Sequence, residues 1–320
     1  HKMIAQALDI NNLPTPKQEQ WKYTNLKRAL PDGLRVMTDV QPIEIKAAKN
    51  DTSNTVHDIV FTGETGTHTT PSLTLIVEDG AQMTVIERHD GSGDYWKNMV
   101  TNIAVGQNAT LNHIRIQNDA VQGVNTNMVN ITVDRDATYD AFTLNIGGKL
   151  TRHEIHGALN GANATLTLNG VNMLNGDQHG DTTIVIDHAA PHCASNQFYR
   201  TILDDKARGV FQGKVHVHQI AQKTDGYQLA NTLLLSDTAE MDVKPELEIY
   251  ADDVKCSHGA TTGRLDDEPL FYMRARGIPE AEARKLLIQA FAEEVIEKIN
   301  HDETADDIRG MAEAWLQSVL

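Results

Sequence analysis

Gly80-Ala81-Gln82-Met83, Asn108-Ala109-Thr110-Leu111, Asp136-Ala137-Thr138-Tyr139 and Asn163-Ala164-Thr165-Leu166 align without gaps, their alanines 28, 28 and 27 residues apart. Each block is a Gly, Asn or Asp turn residue, an alanine, then a short apolar strand. A fixed period in this range is the signature of a solenoid or propeller. The unit holds two or three short strands and no helical stretch, which favours a β-helix (β-solenoid) over a leucine-rich repeat. The competing architecture is an antiparallel sandwich with regular turns. In stacked coils each turn of chain buries its apolar edge against the next, and only the ends need caps.

Working outward, the β texture runs from about residue 73 to 255 through Leu73–Val77, Leu111–Ile116, Val129–Val133 and Thr183–Ile186. In Val215-His216-Val217-His218 the valines take one face of a strand and the histidines the other, and Leu247 and Ile249 alternate with Glu248 just after Pro245. Ahead of this, residues 51–72 are rich in Thr and Gly and read as a connection of weak strand character. Residues 1–50 read as helical and polar, with Thr15 as an N-cap before Pro16, Glu19 near the capping-box distance, and Trp21, Tyr23 and Leu26 on an apolar side. Beyond Gly263 the texture changes again. Leu270-Phe271-Tyr272-Met273 leads through Gly277 to a helix start at Ile278-Pro279-Glu280. Ile288, Phe291, Val295 and Ile299 then share one helical face, as do Ile308, Met311, Trp315 and Val319. The expected division is a helical region over 1–50, a β-helix core over 51–263 and a helical region over 264–320.

The chain has 320 residues, 22% of them charged and 40% hydrophobic, an ordinary globular composition. Its formal net charge of −16 repels phosphate backbones and anionic lipid, so neither nucleic acid nor a membrane surface is expected as a partner. No apolar run approaches the roughly 18 residues of a transmembrane helix, and His1-Lys2-Met3-Ile4 lacks the apolar region of a signal peptide. Cys193 and Cys256 lack CxxC spacing and read as reduced thiols of a cytoplasmic protein. A cluster held by four thiolates needs four cysteines, so this chain alone cannot supply them.

Among the fourteen histidines, His153-Glu154-Ile155-His156 has its histidines three apart in a strand rather than four apart on a helix, which argues against a metalloprotease. His216 and His218 could chelate but read first as solvent or interface residues. His192 and Cys193 are adjacent and make a poor chelate. Cys256-Ser257-His258 is the compact thiol–imidazole pair. At i and i+2 of a strand the two donors face the same way, a combination suited to iron or zinc, set against a plain buried Cys beside a hydrogen-bonded His. Gly259–Gly263 has no lysine and reads as a turn, and neither a nucleophile elbow nor a dinucleotide fingerprint is present. The pairs Asp204-Asp205, Asp252-Asp253 and Asp266-Asp267 would suit turns, or a carbohydrate-active β-helix enzyme such as a polysaccharide lyase.

Several stretches together resemble the SufB/SufD family of the SUF iron–sulfur cluster assembly system. They are Phe211–His216, Ala221–Gly226, Leu233–Ser236, Lys244–Ile249, Asp253–Thr261 with its Cys256-Ser257-His258-Gly259, and Leu270–Ile278. Leu13-Pro14-Thr15 and Trp21-Lys22-Tyr23-Thr24 are similar to the family's N-terminal signature. The Cys-Ser-His-Gly form falls on the SufD side of that family. The resemblance covers about two-thirds of the chain and implies a right-handed parallel β-helix flanked by helical regions. It implies a non-catalytic scaffold subunit that meets SufB through the β-helix and the ABC-type ATPase SufC through the C-terminal helical part. It further implies handling of a transient iron or nascent Fe–S cluster, not bound stably by the chain alone, at His258 and Cys256. SufC docking is implied around Leu270, Phe271, Tyr272, Arg274, Arg276 and Gly277. In isolation the flank meant for SufB could form a homodimer. The region ahead of the β-helix is short for the family. The rival functional readings are the carbohydrate-active enzyme and a metal-free structural adaptor.

Overall fold

Six successive coils begin at a residue in the left-handed backbone region. Gly80, Asn108, Asp136, Asn163, His192 and Lys223 have φ of 70, 55, 56, 61, 60 and 63°, a conformation Gly adopts freely and Asn or Asp adopts at little cost. Their amides donate to the turn of the following coil, from Gly80 N to Gln107 O at 2.8 Å through Lys223 N to Asp253 O at 2.6 Å. The residue after each, Ala81, Ala109, Ala137, Ala164, Cys193 and Thr224, is buried. Only a small side chain fits at that inner corner, and Cys193 and Thr224 continue the alanine ladder.

The computed structural model describes residues 6–320; His1-Lys2-Met3-Ile4, read above for a signal peptide, lie outside them. Every strand pairing among the described residues is parallel. The chain alternates between an eight-stranded and a ten-stranded sheet, so one coil contributes one strand to each. The register follows the repeat: Gln82, Thr110, Thr138 and Thr165 lie side by side, as do Ala194, Asp225 and Lys255 after them. The architecture is the expected parallel β-solenoid. The apolar core between the sheets includes Leu75, Met83, Leu111, Ile131, Leu166 and Ile186.

The helical reading of 1–50 contracts to a 3-10 turn at Glu19–Trp21 and one helical turn at Leu26–Ala29, capped by Asn25 rather than Thr15. Trp21 and Leu26 pack on Trp96, Val124 and Leu150, so docking onto the ten-stranded sheet orders this segment where a short helix could not sustain itself. Strands start early: Ile43–Ala47 pairs with Ser72–Val77, and Thr55–Gly63, within the supposed connection, pairs with Gln82–Gly91.

At the other end, Glu240–Ile249 and Lys255–Gly263 terminate the two sheets, each pairing on one side only. Pro245, which lacks an N–H, sits in the first of these edge strands, where it is tolerated. Three helices follow, Asp267–Ala275, Glu280–Ile296 and Asp302–Val319. The expected stripes Ile288, Val295, Ile299 and Ile308, Trp315 pack onto Ile114, Ile116, Phe142 and Leu144 on the outer face of the eight-stranded sheet. No helix among the described residues is long and apolar enough to cross a membrane.

Candidate functional site at the open coil

The strand Lys255–Gly263 is held by its neighbour Asp225–Leu234 and leaves its other edge unpaired. In that register Cys256 lies beside Gly226 and His258 beside Gln228. Cys256 is half-buried and leans on Val215, Val217, Ala221 and Ala251, and a Cβ at Gly226 would stand 3.3 Å from its sulfur, so the glycine makes room for it. Both cysteines are free thiols, and burial pushes the Cys256 thiol above its ordinary pKa. His258 is exposed. The i, i+2 spacing turns Cys256 and His258 to one side of the strand, as the sequence predicts.

His258 also tops a column of registered residues running into the stack, Leu168, Gln197, Gln228 and His258. Gln197 and Gln228 are fully buried, yet neither side-chain amide finds a hydrogen-bond partner among the described residues. The ground beneath His258 is therefore polar.

Deeper in the same interior lies a charged network that sequence reading did not find. Glu87 accepts from His89 at 2.5 Å, from His113 at 2.8 Å and from Arg115 at 3.3 Å. Asp119 takes the Lys97 ammonium at 2.6 Å and the Tyr95 hydroxyl at 2.5 Å, and all seven side chains are buried. Gly63, Gly91 and Gly123 close around Tyr95, where an added Cβ would collide with its ring or its hydroxyl. Burial would raise Glu87, but the imidazole hydrogen bonds outweigh it and hold the carboxylate well below its usual range. In sequence, His113 and Arg115 only alternate with Ile114 and Ile116; the fold turns the polar pair inward and the isoleucines out.

The segment around Leu270 forms the helix Asp267–Ala275, with Asp266 capping it by accepting from Glu268 N at 3.0 Å. Leu270 turns inward, whereas Phe271 is 73% and Tyr272 58% exposed. Arg276 lies over the Tyr272 ring at 4.9 Å and Arg274 pairs with Glu280 at 3.2 Å. Gly277, at φ +90°, ends the helix as Ile278 N bonds Met273 O.

The remaining candidates sort by position. His153 and His156 lie in the strand Leu150–Leu159, and Glu154 bonds Arg152 and His156. His192 and Cys193 form a coil corner, the thiol donating to Gly161 O at 3.2 Å. Asp205 is a left-handed turn residue, Asp253 pairs with Lys223, and Asp266 is a cap. These acidic pairs serve turns and caps in three separate places. His216 and His218 do face outward together, and the structure adds Asp187 between them, on the adjacent strand.

Comparisons with known proteins converge on one family. The model described as "SUF system FeS cluster assembly, SufBD core domain" matches residues 60–291. The chain is 40% identical to iron-sulfur cluster assembly protein SufD of Escherichia coli over 71% of its own length and 54% of that protein's. It is 38% identical to the SufBD family protein slr0076 of Synechocystis over 72% of the chain and 53% of the relative. To the chloroplastic protein ABCI7 of Arabidopsis thaliana it is 34% identical over 82% of the chain and 58% of the relative. The chain thus spans somewhat over half the length of these curated relatives.

Proposed function

The chain belongs to the SufBD core family of the SUF iron–sulfur cluster assembly system, and from that premise we propose that it is a non-catalytic scaffold subunit handling iron or a nascent cluster, as cargo, at a seam completed by SufB. The observation that carries this reading is the unpaired edge strand presenting Cys256 and His258 on one face at the open end of the stack. A soft sulfur beside a borderline nitrogen suits iron. With two cysteines in the chain, the remaining ligands of a thiolate-held cluster come from outside these 320 residues, which the SufB seam would supply. Because burial keeps the Cys256 thiol protonated, loading is coupled to proton release and to the arrival of a cation beside it.

A second contact is proposed on the helix Asp267–Ala275. Phe271 and Tyr272 stand exposed there, aromatic anchors of the kind that dominate interfaces, with Arg274 and Arg276 at their rim. We assign this surface to the ABC-type ATPase SufC. The test is reconstitution with SufB and SufC. His258→Ala is expected to copurify with both partners and to abolish cluster formation on the complex; an unchanged cluster yield would remove His258 from the mechanism. Phe271→Ala with Tyr272→Ala should lose SufC while keeping SufB, read by pull-down, and retention of SufC would move its docking elsewhere.

A further inference from the structure

The strand Arg208–Val217 buries Val215 and Val217, so His216 projects from its outer face, and His218, one residue past its end with its amide on His188 O, stands beside it. On the adjacent strand, His179–His188, Ile186 and His188 are buried and Asp187 projects outward, directly in register with His216. The result is a three-donor cluster. His216 Nδ1 and His218 Nε2 reach the same carboxylate oxygen, Asp187 Oδ1, at 2.6 and 2.8 Å. The imidazole planes meet at 67° with centroids 4.5 Å apart, and one donor atom from each of the three residues lies within 4.8 Å of the others.

We propose that Asp187, His216 and His218 form a binding site for a divalent first-row transition metal of the imidazole-preferring class, zinc or ferrous iron. One oxygen satisfying two imidazole nitrogens places all three donors around a single point. A cation there takes the place of the two N–H···O bonds, each neutral imidazole carrying its proton on the opposite ring nitrogen, and the two N···O separations need spread only to about 3.3 Å, the edge of a tetrahedron with bonds of about 2.0–2.1 Å. Two imidazoles and a carboxylate are a donor set that zinc and iron accept with positions left open. The side chains are 26%, 44% and 39% exposed for His216, His218 and Asp187, so an ion can enter from solvent and retain water. A wall stands on one side. Tyr250 packs edge-on against His216 at 5.6 Å and bonds Glu248 at 2.6 Å, and Glu248, in register with His216, adds negative charge beside the cluster while paired to Lys214. The site lies on the outer face of the ten-stranded sheet, whereas Cys256 and His258 are on the other sheet, so it stands or falls independently of the cluster-handling reading.

The test uses the full chain carrying Cys256→Ser and His258→Ala, to silence the other metal-binding pair. Titration with Zn2+ against a chromophoric chelator is expected to show one ion bound, with affinity reduced at least about tenfold by each of His216→Ala, His218→Ala and Asp187→Asn. Co2+ should give a d–d absorbance that His216→Ala abolishes, with circular dichroism unchanged because the valines beneath remain. Absence of binding in this background, or binding unaffected by all three substitutions, overturns the site.

Discussion

Asn163 stands at φ +61° with its amide donating to Asp136 Oδ1 at 2.9 Å, and two replacements separate backbone from side chain there. Both Asn163→Gly and Asn163→Val lose the exposed hydrogen bond, but only valine must force a β-branched residue into the left-handed region, at about 1–2 kcal/mol. Chemical denaturation should find glycine close to the parent and valine lower by roughly that amount. His188 tests the interior by pH. It is buried against Ser195, with Nε2 2.8 Å from the hydroxyl, and burial takes its pKa from 6.5 to about 4 against the pull of Asp187. The folded state keeps this imidazole neutral where the unfolded chain binds a proton. The contribution is complete above pH 6.5 and is lost as pH falls towards 4, by roughly 3 kcal/mol at most. His188→Gln should remove that share of the slope in denaturant midpoints measured between pH 7.5 and 4. The share of His89, also depressed to about 4, would remain.

At the scale of elements, the C-terminal helix pair and the eight-stranded sheet depend on each other. Ile308 and Leu316 are fully buried in the layer that covers Ile114, Ile116, Phe142 and Leu144. Ile308→Ala should cost about 2–5 kcal/mol, and helical ellipticity should melt at lower denaturant than the β signal. The helical stripes could be read in advance because a 3.6 period identifies its own apolar face. Their partner could not. A period of two shows that Ile114 and Ile116 alternate with His113 and Arg115, but not which set faces inward, and here the polar set does. Elsewhere the coil period carried more than the motifs did. Asp187 and His216 are 29 residues apart, one coil, so the repeat that predicted the solenoid also placed the carboxylate beside the imidazole. Cys256 and His258 could be paired from sequence because i, i+2 is a local relation, whereas the exposed edge they occupy depends on where stacking stops. The N-terminal segment misled because Thr15, Pro16 and Glu19 look like the start of a long helix, yet helical bonding lasts only one turn at Glu19–Trp21 and one at Leu26–Ala29, and Trp21 and Leu26 are packed on Trp96, Val124 and Leu150.

For the whole molecule, the open coil is where association is expected. An edge strand with free backbone groups invites pairing, and Ile249 and Tyr250 are 38% and 57% exposed beside it. Residues 240–255 carry six acidic side chains against two basic, on a chain of net charge −16. Bringing two copies together end to end opposes like charges, whereas a partner with a basic end meets complementary ones. Self-association of the isolated chain should therefore be weak at low ionic strength and strengthen as salt screens the repulsion, the Debye length falling from about 10 Å at 0.1 M to about 3 Å at 1 M. Binding of a complementary partner should show the reverse dependence. Light scattering across a salt series is the measurement. Dimer growing with salt and suppressed by Ile249→Lys places the contact at the open coil. A dimer that is insensitive to salt, or that Ile249→Lys leaves intact, would put the self-contact on another face and free the terminal strands for a different partner alone.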